Sequence, residues 1–566
     1  MRTMRGSILV QILAHCCSKK GVCGYGPEIC GDGCQSNCDA TAMCGPYSEG
    51  GSISCGLDLC CSWGGWCGTT ETHCIGPNKW APCLKEYGKC EIIRPKTCGE
   101  GSGTSDKRMV GYYQASNFRN RACNRIYPKD IATDGYTHLY WAFATINPKS
   151  FGVEPWEEAD KEHIRSFTAL KGKGKNLQTW VAVGGYDFSD PNTTTHKTWS
   201  ELCAGAGNRA AFIKSARSFM DEYGFQGIDL DWEYPGTAKR GGSRADIANF
   251  VSLVKEMRAA YGTKYGISLT LAPDYWYLQY FDVKGMEPYV DHFGFMAYDL
   301  HGSWDTDVKT LGSIVRGQAD LREIRNNTLP LAYAGVDPGK IVFGVAWYGR
   351  GYTLSDPTCN TFGCGFAGPS KPGKCTNSAG VLSLVEIQQM IKSGEAKSRL
   401  VKEAAMKELV WEDQWVGYDD EETVEMKRRF ANDNCFGGIM AWSVDFNSGA
   451  GDGDGTQAGA GSATATVAQI VSVGSATRTA LLPTEDAEQG STERLALAQG
   501  SGPVALRVDG AEVLAPTAVR VVKAAAAPAR AETPTQAETR EMRVTMTTIH
   551  KLKIGWAHIS PGSSKS

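Results

Sequence analysis

One short run of this 566-residue chain carries three acidic residues at alternate positions. The run is Gly224-Phe-Gln-Gly-Ile-Asp-Leu-Asp-Trp-Glu-Tyr-Pro-Gly236. Because a β-strand turns successive side chains to opposite faces, Asp229, Asp231 and Glu233 are expected to point the same way. Adjacent acids would then lie about 6–7 Å apart, too close for all three to be charged in a partly dry cleft. A proton held on Glu233 near neutral pH could be donated to a leaving group. The run therefore predicts an acid-catalysis site.

A solvated acidic edge or a metal site could also place acids close together. A solvated edge would not alternate strictly with Leu230 and Trp232, and a hard cation usually takes oxygen ligands from a flexible loop. The nine histidines are scattered without ligand spacing. We therefore expect neither a metal nor a cofactor.

Apolar runs alternate with helical periods from Arg108 onward, a pattern typical of βα units and a parallel sheet. Eight such runs predict an α/β fold, a closed TIM (β/α)8 barrel with its active site at the carboxyl ends of the strands. Asp231 and Glu233 lie at the end of the fourth run. The predicted strands are 109–114, 138–146, 179–185, 227–233, 267–272, 292–298, 341–347 and 438–444.

Residues 353–416 follow the seventh predicted strand and precede a helix expected to begin near Asp419. This segment is too long for a barrel loop and too regular for a linker, so we predict a small α+β insertion that forms a wall beside the cleft, with a helix over 384–392. Its three cysteines cannot all pair with one another, and the bridges stay unassigned. They are Cys359, Cys364 and Cys375; Cys123, Cys203 and Cys435 elsewhere are expected to be buried or paired.

Composition sets the remaining bounds. A net charge of -3 argues against a nucleic-acid partner, and no apolar run approaches the roughly 18 residues of a membrane span. Of 21 cysteines, fifteen precede residue 100, which indicates a disulfide scaffold and a secreted, extracellular protein. Residues 1–15 imitate a signal peptide only loosely and leave the N-terminus uncertain. Residues 448–566 are rich in Gly, Ala, Thr and Pro, which predicts a disordered tail.

The cysteine cluster at 44–90 contains Cys60-Cys61-Ser-Trp-Gly-Gly-Trp-Cys67 followed by Cys74. This core resembles hevein-like chitin-binding modules, and eight cysteines suffice for the four bridges of that family. The resemblance implies that Ser62 and Trp66 bind N-acetylglucosamine by hydrogen bonding and ring stacking. The middle aromatic position is instead Gly64, with Trp63 one residue early, and the last is His73.

Residues 16–38 repeat the pattern without its two leading cysteines, which would leave two of the six cysteines there unpaired. The positions equivalent to the sugar-binding residues are Lys20, Val22 and Ile29, which offer no ring. We predict a truncated repeat that does not bind sugar, followed after the second module by a linker over 91–106.

The region 107–447 resembles glycoside hydrolase family 18, and specifically fungal chitinases of the killer-toxin-subunit type. An insertion before the last strand also occurs in the deep-cleft branch of that family. The resemblance covers some 340 residues and is carried by four separate motifs, Asp229-Leu-Asp231-Trp-Glu233-Tyr-Pro, Met296-Ala-Tyr298-Asp299, Val183-Gly184-Gly185 and Met440-Ala-Trp442.

The resemblance implies a chitinase that cleaves β-1,4 linkages with retention, using the acetamido group of the substrate as nucleophile. Glu233 would be the general acid and then the base. Asp231 would orient the acetamido group and stabilise the oxazolinium ion. Asp229 would be a charged neighbour that keeps a proton on the other two acids, and Tyr298 would hydrogen-bond the acetamido oxygen.

The same resemblance implies the residues that contact the sugar chain. Asp299 and Tyr112 would line the subsite of the reacting sugar, and Trp442 would form its floor. Tyr186 and Trp304 are candidate stacking platforms for further units. The expected partners are chitin and its oligomers, bound by a monomer.

The sequence differs from the family pattern at one position near the acids. Ala182 stands where many family members have a serine that hydrogen-bonds the innermost acid, so the pKa of Asp229 is expected to be more strongly shifted.

Three alternatives stay open. A non-catalytic chitin-binding lectin on the same barrel would typically lack the acid or its partner, whereas Glu233, Asp231 and Tyr298 are all present. A toxin-like subunit would use chitin hydrolysis to dock on a foreign cell wall. An endoglycosidase for N-linked glycans would share the barrel, but the tandem modules and the cleft wall favour chitin.

Overall fold

Eight parallel strands close into a barrel in the computed structural model, which describes residues 15–76, 81–174 and 176–447. Each strand pairs with two parallel neighbours, and pairing of the first with the second closes the ring. The predicted barrel is confirmed. Its strands are β1 (Met109–Gln114), β2 (His138–Ile146), β3 (Gln178–Gly184), β4 (Gly227–Asp231), β5 (Gly266–Leu271), β6 (His292–Phe295), β7 (Ile341–Ala346) and β8 (Gly438–Trp442).

Helices cover the outside of the barrel. The longest, Ala206–Tyr223, packs its apolar face inward through Phe212, Phe219 and Met220, and ends at Gly224 in the left-handed conformation. None of the described helices is long and apolar enough to cross a membrane. The other barrel helices are Asn117–Asn120, Asp160–Thr168, Thr198–Ala204, Asp246–Tyr261, Tyr275–Leu278, Val283–Met286, Leu321–Asn327, Leu329–Tyr333 and Glu421–Asp433.

Six of the eight predicted strands are too long at their carboxyl ends, by one residue in β3, β5 and β7, by two in β4 and β8, and by three in β6. The ends of β4 and β6 matter for the site. β4 stops at Asp231, so Glu233 lies beyond it, because its carbonyl accepts a hydrogen bond from Arg240 Nε (2.9 Å) rather than from a neighbouring strand. β6 stops at Phe295, and the amide of Tyr298 bonds locally to the carbonyl of Met296 (2.8 Å). Both side chains therefore stand on the segments that follow the strands.

The insertion before β8 is a six-stranded antiparallel sheet with one helix, as predicted. It extends beyond residues 353–416 because its first and last strands pair with each other. The helix Leu384–Ser393 begins at a capping box formed by Ser383 and Glu386. The strands of the insertion are Tyr348–Leu354, Phe366–Pro369, Val381–Ser383, Lys397–Val401, Met406–Trp411 and Gln414–Tyr418.

Two disulfides fasten the insertion. Cys359 pairs with Cys364 inside it, and Cys375 pairs with Cys123 in the loop after β1. A third disulfide, Cys98–Cys435, ties the predicted linker to the barrel. Cys203 is free and buried in the core. The bridges that the sequence left unassigned are thereby assigned.

The first cysteine repeat has no unpaired cysteine, contrary to expectation. In the second module Cys44 and Cys55, the two leading cysteines, pair with Cys61 and Cys67. The first repeat lacks the two leading cysteines. Cys17 and Cys23, which correspond to Cys61 and Cys67, therefore pair with each other. The remaining disulfides are Cys16–Cys30 and Cys34–Cys38 in the first repeat, and Cys60–Cys74 and Cys83–Cys90 in the second.

The second module packs directly against the barrel. Tyr333, at the end of helix Leu329–Tyr333, is fully buried, and its hydroxyl lies within hydrogen-bond distance of the carbonyls of Thr69 and Glu91 (both 3.3 Å). Lys89 Nζ donates to the Tyr333 carbonyl (2.6 Å), and the Tyr275 hydroxyl donates to the Gly56 carbonyl (3.1 Å). The module is therefore held to the barrel by hydrogen bonds as well as by the chain connection.

Two predictions concern residues that the structure does not describe. Residues 1–14 of the uncertain N-terminus and the tail at 448–566 lie outside the described ranges.

Candidate active site

The three acids of the motif lie buried at the carboxyl end of β4. Asp229 and Asp231 are almost inaccessible to solvent, and Glu233 is 8 % exposed. Thr270 Oγ1 on β5 donates to Asp231 (2.7 Å). The side chains of Asp231 and Glu233 are hydrogen-bonded to each other, which requires one proton between the two carboxyl groups.

Burial sets the protonation of these acids. It raises the pKa of Asp229 to about 6 and that of Glu233 to about 7. The pKa of Asp231 is raised well above its usual range by burial and by the negative charges of Glu233 and Asp229. Near neutral pH the Asp231–Glu233 pair therefore keeps a proton that can be donated.

The innermost acid has two hydroxyl partners despite the alanine at position 182. Asp229 lies between Ala182 on β3 and Ser268 on β5 in the strand register. Ser268 Oγ donates to Asp229 Oδ1 (2.6 Å), and Tyr112 Oη donates to Oδ2 (2.8 Å). The hydroxyl absent from β3 is thus present on β5. The pKa of Asp229 is still raised, because burial outweighs the two hydrogen bonds that lower it.

Tyr298 and Asp299 follow β6, which lies two strands along the barrel from β4. The phenol of Tyr298 is buried, and the charges of Asp231 and Glu233 add to burial in raising its pKa. Asp299 has a left-handed backbone (φ 57°) and accepts hydrogen bonds from Tyr348 Oη (2.6 Å) and from Arg350 Nε (2.8 Å) and Nη2 (2.6 Å). The first strand of the insertion therefore holds Asp299 in place.

Two of the predicted sugar-contacting rings lie at different depths. Tyr112 is buried with its hydroxyl on Asp229, so it contacts the acid rather than facing the open cleft. Trp442 is partly buried between the rings of Tyr112 (5.4 Å between centroids) and Phe143 (5.6 Å). Of the two, only Trp442 remains accessible to a sugar.

Tyr186 and Trp304, the candidate stacking platforms, are exposed by 55 % and 42 %. Each ring has an arginine over it, with Arg240 Cζ 3.9 Å from the Tyr186 centroid and Arg350 Cζ 5.0 Å from that of Trp304. Arg240 also bonds the backbone of Glu233, while Arg350 bonds Asp299. The arginines link the exposed rings to the acidic residues.

Sequence reasoning missed these arginines and two aromatic residues. Tyr234 directly follows Glu233, hydrogen-bonds it and stacks on Tyr277 (4.2 Å between centroids). Trp276, beside Tyr277, is 70 % exposed. Tyr234 could have been found from its place in the motif, but nothing in the local sequence marks Arg240 or Arg350 as partners of rings that stand far earlier in the chain.

In the second module Trp63 and Trp66 differ in accessibility. Ser62 is buried, and its hydroxyl accepts a hydrogen bond from the amide of Trp66 (3.1 Å). The ring of Trp66 is partly covered by the first repeat, with the rings of His15 at 5.4 Å and Tyr25 at 6.1 Å. Trp63 is 56 % exposed. The sugar-binding roles of Ser62 and Trp66 stay predictions.

Within the described ranges one group of side chains has the spacing of a metal site, Cys44, Cys55 and Cys61. All three form disulfides. Their sulfurs are therefore not available as thiolate ligands.

A family profile spans the whole barrel. Residues 108–447 match the profile of the glycosyl hydrolases family 18. The chain belongs to glycosyl hydrolase family 18. The predicted family is confirmed over more than half of the chain.

Curated proteins of fungi are similar to this family 18 chain. It is 27% identical over 438 residues to the secreted chitinase LysM12 of Penicillium expansum, covering 71% of this chain and 28% of that protein. It is 29% identical over 373 residues to the killer toxin subunits alpha/beta of Kluyveromyces lactis, covering 64% of this chain and 30% of that protein. The chain thus matches less than a third of the length of either relative.

Solved structures of insect chitinases are also similar. The Group IV chitinase of Ostrinia furnacalis in complex with allosamidin has 26% identity and a TM-score of 0.57, over 65% of this chain and 99% of that chain. Catalytic domain 2 of the Group II chitinase of the same species, in complex with the chitin oligomer (NAG)5, has 26% identity and a TM-score of 0.55, over 61% and 91%.

Proposed function

We propose that this family 18 chain is an extracellular chitinase that hydrolyses β-1,4 linkages of chitin with retention of configuration. The observation that carries the proposal is the buried Asp231–Glu233 pair, which holds a proton beyond the carboxyl end of β4. Ten disulfides among the described residues support an oxidising, extracellular location.

In the first step Glu233 donates its proton to the glycosidic oxygen, and the leaving sugar chain departs as an alcohol. The acetamido oxygen of the sugar that remains bound attacks the anomeric carbon of that sugar and forms a cyclic oxazolinium ion. Asp231, which can turn its charge toward the ring nitrogen, stabilises that ion. Tyr298 donates a hydrogen bond to the acetamido group and holds it for the attack.

In the second step the Glu233 carboxylate takes a proton from water, and the hydroxide attacks the anomeric carbon as the oxazolinium ring opens. Two displacements at one carbon leave the configuration unchanged. Asp229, which is ionised above a pKa of about 6, keeps the proton on the neighbouring pair by charge repulsion.

The test follows the anomer first released from a long chitin oligomer by NMR. The β-anomer is expected from the wild type, and no product from Glu233→Gln. Glu201→Gln, a change of the same kind at an exposed position of helix Thr198–Ala204, serves as the control and should retain full activity.

Initial release of the α-anomer would overturn the neighbouring-group mechanism. Binding of the oligomer without hydrolysis by the wild type would favour a lectin, and faster release of glycans from a glycoprotein would overturn chitin as the substrate.

A further inference from the structure

A line of hydrogen bonds runs from Asp229 toward the amino-terminal end of the barrel. Ser268 Oγ donates to Asp229 Oδ1 (2.6 Å). Tyr140 Oη lies 3.1 Å from Ser268 Oγ, and His292 Nε2 lies 2.8 Å from Tyr140 Oη. All four residues are buried, on four different strands. The innermost acid is therefore connected to a histidine that the proposed reaction does not use.

The number of protons fixes the direction of these bonds. A hydroxyl carries a single proton, so Ser268, which donates to Asp229, must accept from Tyr140. Tyr140 must in turn accept from His292 Nε2. Nδ1 of His292 has no hydrogen-bond partner among the described residues, which fits a neutral ring with its proton on Nε2. Every donor in the line points toward Asp229.

An indole ring holds the lower part of the line in place. Trp180 stacks on Tyr140 with centroids 5.4 Å apart and planes 7° from parallel, and it also contacts His292 (5.4 Å). It lies over Gly227 and Gly266, where an added Cβ would come within 2.4 Å and 2.1 Å of its ring atoms. The two glycines leave the space that the ring fills, so Tyr140 has little freedom to move.

Several charged and titratable groups face this line. Near Asp229 they come from β1, β4 and the segments after β4 and β6; near His292 they come from β2 and the base of the barrel. Burial and the nearby positive charges hold the pKa of His292 well below its usual value, so the ring stays neutral. The groups are Tyr112, Asp231, Glu233 and Tyr298 above, and His138, Arg108, Asp291 and Lys340 below.

We propose that Tyr140 and His292 are positioning residues that favour the ionised form of Asp229. They act through Ser268, the hydroxyl that β5 supplies where β3 has Ala182. The proposal rests on the proposed function in so far as ionised Asp229 keeps the proton on the acid pair. Removing the line should shift the proton from that pair to Asp229.

The first measurement is the pH profile of kcat/KM on a chitin oligomer for Tyr140→Phe, which removes one hydroxyl and keeps the ring. The acid limb should move to higher pH by about half a unit, because a hydrogen bond that favours the carboxylate is weakened. Tyr113→Phe is the matched control, since that buried hydroxyl donates to the carbonyl of Ile126 (2.6 Å), away from the acids. Its profile should keep the wild-type limb.

Ser268→Ala should move the limb in the same direction and further, because the direct donor to Asp229 is lost. Adding Tyr140→Phe to Ser268→Ala should then change the limb little, since the line is already broken. The proposal would be contradicted if Tyr140→Phe left the acid limb of the kcat/KM profile unmoved. It would also be contradicted if the control, Tyr113→Phe, moved that limb equally.

A second measurement does not depend on activity. The carboxylic acid band of Asp229, identified by its loss in Asp229→Asn, can be titrated by infrared spectroscopy in the wild type and in Tyr140→Phe. A higher midpoint in the variant is expected, and equal midpoints would overturn the inference. A wild type that hydrolyses no oligomer would defeat the proposed function, while this titration would still decide the role of Tyr140.

Discussion

The barrel cleft and the second cysteine-rich module both present residues that a short motif identifies, but in different ways. In the cleft, strand register aligns the acids with partners on neighbouring strands, as Asp229 is aligned with Ser268. In the module, disulfides fix a loop whose surface depends on what packs beside it, and the first repeat covers part of Trp66. Strand periodicity predicts the direction of a side chain, whereas loop spacing does not predict its accessibility.

The largest expected effect separates the two regions by function. Asp231→Asn should lower kcat on a soluble chitin oligomer by about 100-fold or more, because the charge that stabilises the oxazolinium ion is lost. Ser62→Ala in the module should leave kcat on the same oligomer unchanged. Steady-state kinetics of the two variants provide the test, and a kcat for Asp231→Asn within a few-fold of wild type would contradict the assigned role.

The pH dependence of the cleft should be a narrow bell. Glu233 must be protonated to act, so activity should fall as the pH rises through its pKa of about 7. Asp229 must be ionised, so activity should also fall as the pH drops through its pKa of about 6. If the second module is responsible for binding to insoluble chitin, that binding should not change with pH in the way that activity does. The kcat/KM profile and a pull-down across the same pH range test this difference.

Within the module, exposure predicts which tryptophan contributes to chitin retention. Trp63→Ala should weaken binding to insoluble chitin by about 2- to 10-fold, the contribution of one aromatic stacking contact. Trp66→Ala should weaken binding less and lower the melting temperature more, since that ring packs on Tyr25. Sedimentation binding assays and thermal unfolding of both variants measure the two effects. Stronger loss of binding in Trp66→Ala would instead support the role of Trp66 predicted from the sequence.

The smallest expected effect concerns the contact between the two regions. Tyr333→Phe removes the hydroxyl that bonds the carbonyls of Thr69 and Glu91, and should lower the free energy of unfolding by about 1 kcal/mol. Tyr280→Phe, at a nearby tyrosine that makes neither of these contacts, is the control. Denaturant unfolding of both variants measures the difference, and equal stabilities would mean that the contact contributes nothing.

Much of the barrel could be predicted because its signals are local. The apolar runs of β1 and β2 predict both strands with the observed bounds, and the helix predicted at 384–392 is Leu384–Ser393. The ends of β4 and β6 could not be predicted, because they depend on the Arg240 side chain and on local turns, neither of which strand alternation reveals. The pairing of Cys17 with Cys23 was missed because it depends on which other partners are absent.

The sequence by itself determined the strand alternation, the eightfold repeat and the acids at the end of the fourth repeat, because a strand's period and the direction of a parallel sheet act over a few residues. Only the tertiary structure decided that Ser268 replaces the missing serine, that Arg240 and Arg350 hold the exposed rings, and that Trp66 lies against another module. These contacts join residues far apart in the chain, and barrel closure and disulfide pairing bring them together.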